Sequence, residues 1–318
     1  MTSLEEAAAF LKTKERVLIL CHQSPDGDTL GSGTALCRVL RQIGKRAQVL
    51  CSDPIGPKYR YLFRGLADDS FEPDAVVSVD IADKALLGDP LLARFGDRID
   101  LSIDHHPSNT KYAVRNCVDP AAAATCELIY LLIGLLGQKA DAPAAEDLYT
   151  GITTDTGCFQ YINVTPRTYR IAADLVETGI DAPRINRLMF DTKSRAHIEM
   201  ERRVLDSIEY YCGGRVAFIC ITNRMIAESG AQEDDLDGLS SIPRGIEGVA
   251  IGVTMREKDS GTWKFSLRAH PPADASAICA RFGGGGHKGA AGCAMDLPYE
   301  EAKRRMLGAV AEVLKEDL

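Results

Sequence analysis

Four short apolar runs, separated by segments of helical character, constrain the fold of this chain more than any other feature. The runs are RVLILC (16–21), AQVLC (47–51), AVVSVDIAD (75–83) and IDLSID (99–104). Near-continuous apolar runs of this length are typical of parallel strands that are buried on both faces. The alternation of strands and helices therefore predicts an α/β fold with a doubly wound, mainly parallel sheet.

Helix signals lie before, between and after these runs. The predicted helices are a first helix to Lys12 capped by Thr2 or Ser3, TALCRVLRQIG (34–44), AAAATCELIYLLIGLLG (121–137), EDLYTGITTDTG (146–157) and PRTYRIAADLVETG (166–179), the last started by Pro166. HQSPDGDTLGSG (22–33) is rich in turn residues, so we expect a loop there between the first strand and the next helix.

A charged segment of helical period predicts a division of the chain into two domains. Residues 185–211 contain neither Gly nor Pro, which favours a connecting helix. We expect a first domain at 1–185, a helical linker at 186–211 and a smaller α/β domain at 212–318. The second domain is predicted to contain a strand in GGRVAFICIT (213–222), a hairpin turning at Asp259-Ser260-Gly261, and helices near 273–281 and 299–314.

Composition limits the partners of this chain. It has 318 residues, a net charge of −8 at pH 7 and ten cysteines. The negative charge argues against duplex DNA or an anionic membrane as a partner. No cysteine pair has C-x-x-C spacing, and unpaired thiols indicate a reducing compartment. The longest apolar run, 128–137, is too short to span a bilayer, and the first residues lack a signal peptide's apolar core. We therefore expect a cytoplasmic protein.

Acidic and histidine side chains follow the predicted strands at the points where the strands end. They are His22, Asp26, Asp28, Asp80, Asp104, His105 and His106. Ligands of a doubly wound sheet bind beyond the carboxyl ends of its strands, so we expect these side chains to share one site. Carboxylates with imidazoles suit Mn²⁺, and carboxylates with water suit Mg²⁺. Singly, each motif has another explanation: PDGD is an ordinary turn sequence, and Asp80 or Asp155 can cap a helix.

In combination and in this order, the motifs are similar to those of the DHH phosphoesterase superfamily. The matching motifs are His22-x-x-Pro-Asp26-Gly-Asp28, Asp80 at a strand end, Asp104-His105-His106 and Thr154-Asp155-Thr-Gly. Gly283-Gly-Gly-Gly-His287-Lys-Gly-Ala-Ala-Gly resembles the signature of the DHH-associated second domain. GITTDTGCFQY (151–161) is similar to the version in the nanoRNase type, in which a small residue such as alanine is expected in place of Thr29.

The resemblance implies a centre of two Mn²⁺ ions, with Mg²⁺ or Co²⁺ as alternatives. One ion would be held by His22, Asp26 and Asp80, and the other by Asp28, Asp80, His105 and Asp155. The implied chemistry is in-line attack on phosphorus by a hydroxide that the two ions share. Asp104 would orient His105, and His106 would face the substrate and protonate the leaving alkoxide. The alternative for His106 is a structural, hydrogen-bonding imidazole.

The glycine-rich segment predicts a loop whose exposed N–H groups can cradle a phosphate. The resemblance implies that this loop and a cation from the neighbouring KFSLRAH hold the terminal phosphate or 3′ end of the substrate. The residues concerned are Arg268, Gly284, Gly285, Gly286, His287 and Lys288. The alternative for Arg268 and Lys288 is an ordinary surface position.

The implied function is hydrolysis of short oligonucleotides (nanoRNA) to mononucleotides, of 3′-phosphoadenosine 5′-phosphate (PAP) to AMP, or of both. The expected partners are therefore short oligonucleotides or nucleotide phosphates. Alternatives are a phosphodiesterase for linear or cyclic dinucleotides such as pApA and pGpG, a pyrophosphatase or exopolyphosphatase, a RecJ-like exonuclease, and a non-catalytic nucleotide-binding protein. Sparse cations in the glycine loop argue against a phosphoanhydride substrate. The sequence leaves a homodimer and the direction of degradation open.

Overall fold

Five parallel strands form the sheet of the first of two units, Met1–Thr192, into which the chain folds. The computed structural model describes residues 1–258 and 261–317. The strands of the first unit are β1 (Arg16–Leu20), β2 (Arg46–Leu50), β3 (Ala75–Val79), β4 (Leu101–Asp104) and β5 (Arg115–Val118). Its α-helices are α1 (Leu4–Lys12), α2 (Gly27–Gln42), α3 (Asp89–Phe95), α4 (Thr125–Leu135), α5 (Ala142–Asp155), α6 (Pro166–Glu177) and α7 (Ala182–Asn186). Short 3₁₀ segments occupy Pro57–Phe63 and Lys84–Leu87, and a π-helical turn follows α7 at Arg187–Asp191.

The order of the strands confirms the predicted doubly wound fold. The sheet runs β2-β1-β3-β4-β5 with all pairs parallel. The chain moves outward from β1 to β2 and then returns to the other side of β1 for β3. In such sheets the point of reversal, here between β1 and β3, is where ligands bind.

Both faces of this sheet are buried, as the apolar runs predict. Side chains of β1 alternate between two separate apolar clusters. Val17 and Ile19 pack in the cluster that also contains α1, α2, α4 and α5 residues. Leu18 and Leu20 pack on the opposite face, in the cluster that contains Phe95 of α3. The two-sided burial explains why this strand has almost no polar residue.

One local prediction for the first unit is wrong, and one strand was not predicted. The predicted loop 22–33 ends early, because α2 begins at Gly27 rather than at Thr34. The cause is Asp26, whose Oδ1 accepts the N–H groups of Asp28 (3.0 Å) and Thr29 (3.1 Å) and so caps the helix. Strand β5 was not predicted, because its sequence RNCV carries two polar residues on a half-buried edge strand.

The second unit, from Lys193 onward, has a mixed sheet. Its strands are β6 (Glu209–Tyr211), β7 (Val216–Ile221), β8 (Ile251–Glu257), β9 (Trp263–Ala269), β10 (Gly285–His287) and β11 (Ala290–Met295), in the order β10-β11-β9-β8-β7-β6. Its α-helices are α8 (Arg195–Asp206), α9 (Asn223–Ser229), α10 (Ala275–Ala280) and α11 (Tyr299–Leu314), with 3₁₀ segments at Cys212–Gly214, Glu233–Leu236, Leu239–Ser241 and Pro243–Gly245. Strands β7 and β8 pair in parallel and the other pairs are antiparallel. Helices α10 and α11 cover one face of the sheet.

Pairing of β8 with β9 confirms the predicted hairpin in this unit. Of its predicted turn, Asp259 and Ser260 lie outside the described residues. The glycine-rich segment was predicted to be a loop, and this prediction is wrong. The segment belongs to a second hairpin, which β10 and β11 form. Glycines fit this hairpin because the backbones approach closely: a Cβ on Gly284 would lie 2.1 Å from the carbonyl oxygen of Gly292.

The predicted connecting helix is interrupted. After the π-helical turn Arg187–Asp191, the chain leaves helical geometry and α8 begins at Arg195. Ser194 caps α8 by accepting the N–H of His197 at 2.9 Å. Met200 and Val204 of α8 then pack with Ile219 of β7, so this helix belongs to the core of the second unit. In the described part of the chain, no helix has the length and apolar character needed to cross a membrane.

Helices α2 and α5 of the first unit pack so closely that a larger residue in place of one glycine would lower the stability. A Cβ on Gly31 would lie 2.3 Å from the carbonyl oxygen of Asp147, a backbone atom of α5. We therefore expect Gly31→Ala to lower the free energy of unfolding by about 1–3 kcal/mol, the usual cost of overpacking. Urea denaturation monitored by circular dichroism measures this change.

The matched control is Gly134→Ala, an exposed helical position in α4. An added Cβ there meets no described atom within 4 Å. Because alanine has the higher helix propensity, this variant should gain about 0.5–1 kcal/mol. Equal effects of the two substitutions would contradict the close α2–α5 contact.

Candidate active site

Eight of the predicted site residues lie in the first unit, and the fold brings them to one edge of its sheet. His22 and Asp26 follow β1, Asp80 follows β3, and the triplet 104–106 begins at the last residue of β4. Asp28 lies in the first turn of α2 and Asp155 is the last residue of α5. Close packing joins the two helices, because a Cβ on Gly27 would lie 2.3 Å from Oγ1 of Thr154. The site is therefore at the switch point between β1 and β3.

Asp80 lies between two groups of potential metal ligands. Its Oδ2 is 3.8 Å from Nε2 of His22, which is 3.6 Å from Oδ1 of Asp26. Its Oδ1 is 3.6 Å from Nε2 of His105. The same Nε2 lies 3.2 Å from Asp155 and 3.9 Å from Asp28. Ligand atoms within each of the sets His22–Asp26–Asp80, Asp28–His105–Asp155 and Asp80–His105–His106 all lie within 4.8 Å of one another.

The rings of His22 and His105 are held in the same way. Nδ1 of His22 lies 2.7 Å from the carbonyl oxygen of Gln23, and Nδ1 of His105 lies 3.2 Å from that of Ala122. A carbonyl oxygen can only accept, so Nδ1 carries the proton in both rings. Each ring thereby directs Nε2 toward the carboxylates, the arrangement common among metal-binding histidines.

Asp104 is the centre of a second network, and its partner differs from the prediction. Its Oδ1 accepts the backbone N–H groups of His105 (2.8 Å) and His106 (3.2 Å), and also contacts Nδ1 of His106 at 2.8 Å. Its Oδ2 accepts a hydrogen bond from Nδ2 of Asn109 at 2.6 Å. The ring that Asp104 orients is therefore that of His106, whereas Ala122 contacts the ring of His105. Asn109, which holds Asp104, was not singled out from the sequence.

The first turn of α4 also holds the carboxylates, and this role was missed. The N–H groups of Thr125 (2.6 Å) and Cys126 (2.9 Å) donate to the two oxygens of Asp28. Oγ1 of Thr125 donates to Oδ1 of Asp80 at 2.9 Å. The start of a helix has free N–H groups and favours negative charge. The signal in the sequence was a threonine at the start of a strongly apolar helix, which is a common pattern without functional meaning.

The backbone of Asp80 is strained. Its φ is +61°, in the left-handed region that non-glycine residues rarely adopt. Such a conformation costs of order 1–3 kcal/mol and persists because the surroundings impose it. Here the N–H of Asp80 donates to the carbonyl oxygen of Ile103 at 2.9 Å, while its side chain is held by Thr125. The strain turns the carboxylate of Asp80 toward the histidines instead of along β3.

Crowding of carboxylates changes the proton affinities in the site. Burial and the charge of Asp80 raise the pKa of Asp28 to about 7. Burial and the charges of Asp26 and Asp155 raise the pKa of Asp80 to about 6. Burial opposes protonation of His105, but its hydrogen bond with Asp155 and the nearby carboxylates raise its pKa to about 11. The cluster therefore attracts positive charge strongly.

His106 differs from His22 and His105 because its Nδ1 contacts a carboxylate, that of Asp104, instead of a carbonyl oxygen. Burial opposes protonation of His106, but the hydrogen bond with Asp104 and the charge of Asp80 raise its pKa above the ordinary value. Burial likewise opposes ionisation of Asp104, but the hydrogen bonds from His106 and Asn109 lower its pKa. A raised pKa favours the protonated form of His106, and a protonated imidazole is suited to donate a proton.

The remaining predicted residues lie in the second unit. Arg268 is in β9, Gly285, Gly286 and His287 form β10, Gly284 precedes β10, and Lys288 follows it. The register pairs His287 with Ala290, and Ala290 with Arg268. Directly paired residues face the same side of a sheet, so Arg268 and His287 share one face, with the small Ala290 between them. Gly285 to Lys288 are exposed.

Comparison with known proteins agrees with this architecture. Residues 16–152 match the model of the DHH family, N-terminal domain, and residues 214–316 match the DHHA1 domain. The chain is 33% identical over 304 residues to the bifunctional oligoribonuclease and PAP phosphatase NrnA of Thermus thermophilus, covering 94% of this chain and 90% of the relative. The chain belongs to the DHH family. The resemblance inferred from the motifs is thereby confirmed.

Two further relatives extend over nearly the whole chain. The protein of Bacillus subtilis that carries the same NrnA name is 24% identical over 295 residues, which cover 91% of this chain and 92% of that protein. A crystal structure of an exopolyphosphatase-related protein from Bacteroides fragilis superposes with a TM-score of 0.89 at 24% identity, covering 97% of this chain and 95% of that one. This likeness shows that the protein has the same fold as that structure over nearly its whole length.

Removal of the Thr125 hydroxyl tests its support of Asp80. Thr125→Val keeps the size of the side chain but leaves Oδ1 of buried Asp80 without this donor. We expect the free energy of unfolding at pH 8 to fall by about 1–3 kcal/mol. Thr125→Ser, which keeps the hydroxyl, is the control and should retain most of the stability in the same denaturant titration. A valine variant as stable as the serine variant would contradict this role.

The raised pKa values make stability depend on pH in chelator-treated protein. Between about pH 4 and 7, folded Asp28 and Asp80 retain protons that the unfolded chain releases, since an unperturbed Asp has a pKa of about 3.9. Burial opposes protonation of His22, but Asp26 and Asp80 raise its pKa to about 9. Stability from its protonation is therefore full below about pH 6.5 and lost as pH rises through 9. We expect the free energy of unfolding to fall from pH 5 to pH 9, as measured by urea titrations. A free energy of unfolding that stays constant or rises from pH 5 to pH 9 would contradict the raised pKa values of these residues.

Proposed function

We propose that this protein is a metal-dependent phosphoesterase that hydrolyses short oligonucleotides to mononucleotides, PAP to AMP, or both. The carrying observation is the convergence of four aspartates and three histidines at the switch point of the sheet. The names of the Thermus thermophilus and Bacillus subtilis relatives, which cover nearly the whole chain, support the same activities. The chain contains both domains that the family models describe, the DHH N-terminal domain and the DHHA1 domain.

The residues fit a pair of divalent ions. The donor set combines hard carboxylate oxygens with imidazole nitrogens, and the two carboxylate oxygens of Asp80 face different histidines. We assign His22, Asp26 and Asp80 to one ion, and Asp28, Asp80, His105 and Asp155 to the other. The imidazoles favour Mn²⁺ over Mg²⁺, and Co²⁺ is an alternative. Two such ions, when bound, would supply an activated water and neutralise charge on the phosphoryl oxygens.

Protein groups supply the proton that the leaving group needs. With Nδ1 directed at Asp104, His106 has its Nε2 available for the substrate. The hydrogen bond with Asp104 raises the pKa of the ring above its ordinary value, which favours the protonated form. We propose that His106 donates this proton to the alkoxide oxygen of the departing nucleotide. Asp104 then acts as a positioning residue that also stabilises the imidazolium.

The second unit is proposed to bind the end of the substrate. The exposed glycines of β10 present backbone N–H groups that side chains do not shield, a feature suited to phosphate. Arg268 and His287 add cationic and hydrogen-bonding groups on the same face of this sheet. We propose that this face, with Gly284, Gly285, Gly286 and Lys288, holds a terminal phosphate. Recognition of a terminus favours short substrates, because a long strand has few ends per nucleotide.

A substrate panel tests the proposal. Purified protein with Mn²⁺ is given pApA, a pentanucleotide RNA, a long RNA, PAP and pyrophosphate, and products are separated by chromatography. We expect mononucleotides from the short RNAs and phosphate with AMP from PAP, with little turnover of the long RNA. Release of phosphate from pyrophosphate alone would contradict the proposal and indicate an anhydride hydrolase.

Matched aspartate variants distinguish the site from general effects of charge. Asp80→Asn removes the carboxylate shared by both groups and should lower kcat by about 100-fold or more, because it weakens the metal centre. Asp83→Asn changes a nearby aspartate whose side chain accepts the N–H of Ala85, and should retain activity. Calorimetric titration with Mn²⁺ should show weaker binding in the first variant only. Similar losses in both variants would contradict the assignment of Asp80.

A further inference from the structure

The segment after Asp155 contains an aromatic residue that the proposed mechanism does not use. GITTDTGCFQY places Asp155 at the end of α5 and Tyr161 at the end of the motif. Three consecutive residues between them have positive φ angles: Gly157 (55°), Cys158 (56°) and Phe159 (64°). Two of these are not glycine, so this turn carries backbone strain. Strained turns persist where the surrounding structure imposes them.

The turn lays the ring of Tyr161 on the backbone beside the candidate active site. A Cβ on Gly157 would lie 2.3 Å from Cζ and 2.4 Å from Cε1 of Tyr161, so one part of the ring covers this glycine. Gly157 is two residues from Asp155, whose carboxylate contacts His105. Tyr161 is nevertheless 48% exposed. It therefore presents a flat aromatic surface to solvent while its position is fixed from below.

Neighbouring residues fix this surface. The carbonyl oxygen of Thr156 accepts the N–H of Tyr161 at 3.0 Å, and Oγ1 of Thr156 accepts the N–H of Phe159 at 3.1 Å. The ring of Phe159 stacks on Tyr169 with centroids 5.6 Å apart, which anchors the turn. Nδ2 of Asn163 donates to the carbonyl oxygens of Ala123 (3.0 Å) and Asp155 (3.2 Å). A surface that is already ordered loses little entropy when a ligand stacks on it.

From these contacts we propose that Tyr161 stacks on a nucleobase of the substrate and thereby selects nucleotides. This inference rests on the proposed phosphoesterase activity and assigns to it a residue that determines substrate specificity. In a nucleotide the groups next to the phosphate are a ribose and a base, and every base has a flat face that stacks on an aromatic ring. Pyrophosphate has no such face, so Tyr161 favours nucleotide substrates over phosphoanhydrides.

Steady-state kinetics with Mn²⁺ test the proposal on three substrates, which are pApA and the two analogues of pApA that each carry an abasic ribose at one of the two positions. Stacking of a base contributes about 5- to 150-fold in affinity. We expect Tyr161→Ala to raise KM for pApA within this range, with kcat changed less than about twofold. Tyr161→Phe keeps the ring and should retain the wild-type KM. For the abasic analogue that lacks the stacked base, wild type and Tyr161→Ala should have equal KM.

Two further variants guard against indirect effects. Tyr210→Ala removes a tyrosine of similar exposure, 55%, from β6 of the second unit and should leave the KM values of all three substrates unchanged. Tyr161→Leu has a bulky apolar side chain without an aromatic face. It replaces the alanine variant if circular dichroism shows that the alanine variant is misfolded. A normal KM for pApA in the folded alanine or leucine variant, or an equal loss on both abasic analogues and pApA, would overturn the proposal.

Binding measurements separate this proposal from the proposed function. Calorimetry should show that AMP binds wild type more tightly than ribose 5-phosphate, and that Tyr161→Ala removes this difference. If wild type hydrolyses none of the nucleotides but still prefers AMP through Tyr161, the proposed activity fails and base stacking stands. If wild type hydrolyses pApA but binds AMP and ribose 5-phosphate equally, the activity stands and the role of Tyr161 is overturned.

Discussion

Repulsion among four aspartates is the constraint on which the rest of the first unit depends. At the carboxyl edge of the sheet, Asp26 approaches His22, whereas Asp28 and Asp155 approach His105. Asp80 approaches both histidines. Like charges at such distances destabilise the folded chain unless cations or hydrogen-bond donors compensate them. The compensation comes from several directions: the start of α2 binds Asp26, the start of α4 binds Asp28, and the hydroxyl of Thr125 binds Asp80. Helix starts are thus used as anion-binding groups around a cluster that itself is suited to cations.

The location of this cluster could be predicted from the sequence, because it follows from strand order. Apolar runs that end in acids and histidines are visible as soon as the parallel sheet is inferred, and parallel strands bring their carboxyl ends to one edge. Asp155 required more, since it ends a helix and only the motif around it indicated its place. The resemblance to the DHH family joined it to the others, and the structure brings its carboxylate within 3.2 Å of His105.

The supporting residues could not be predicted, for physical reasons that differ from case to case. Gly31, Ser32 and Gly33 disfavour a helix locally, yet α2 continues through them. Gly31 allows close packing on α5, and Gly33 allows close packing on Ile19 of β1 and Val49 of β2. The pairing of Asp104 with the ring of His106 depends on the turn after β4, which sequence spacing does not determine. The left-handed backbone of Asp80 is imposed by tertiary contacts, so an aspartate with ordinary propensities gives no sign of it. In the second unit, a run of glycines resembled a flexible loop because cross-strand pairing is invisible in composition.

The hydrogen bond between Thr125 and Asp28 joins residues that are 97 positions apart in the chain. A site with such long-range contacts has no local precursor, because ordering the intervening chain must precede the contact. The carboxylates cannot be brought together by an isolated strand–loop–helix fragment that contains the first motif alone. Binding of both metal ions would then require the chain through the end of α5, where Asp155 lies. A nascent chain from which α5 has not yet emerged lacks Asp155 and the packing partner of α2, so its sheet edge lacks the complete set of acidic side chains.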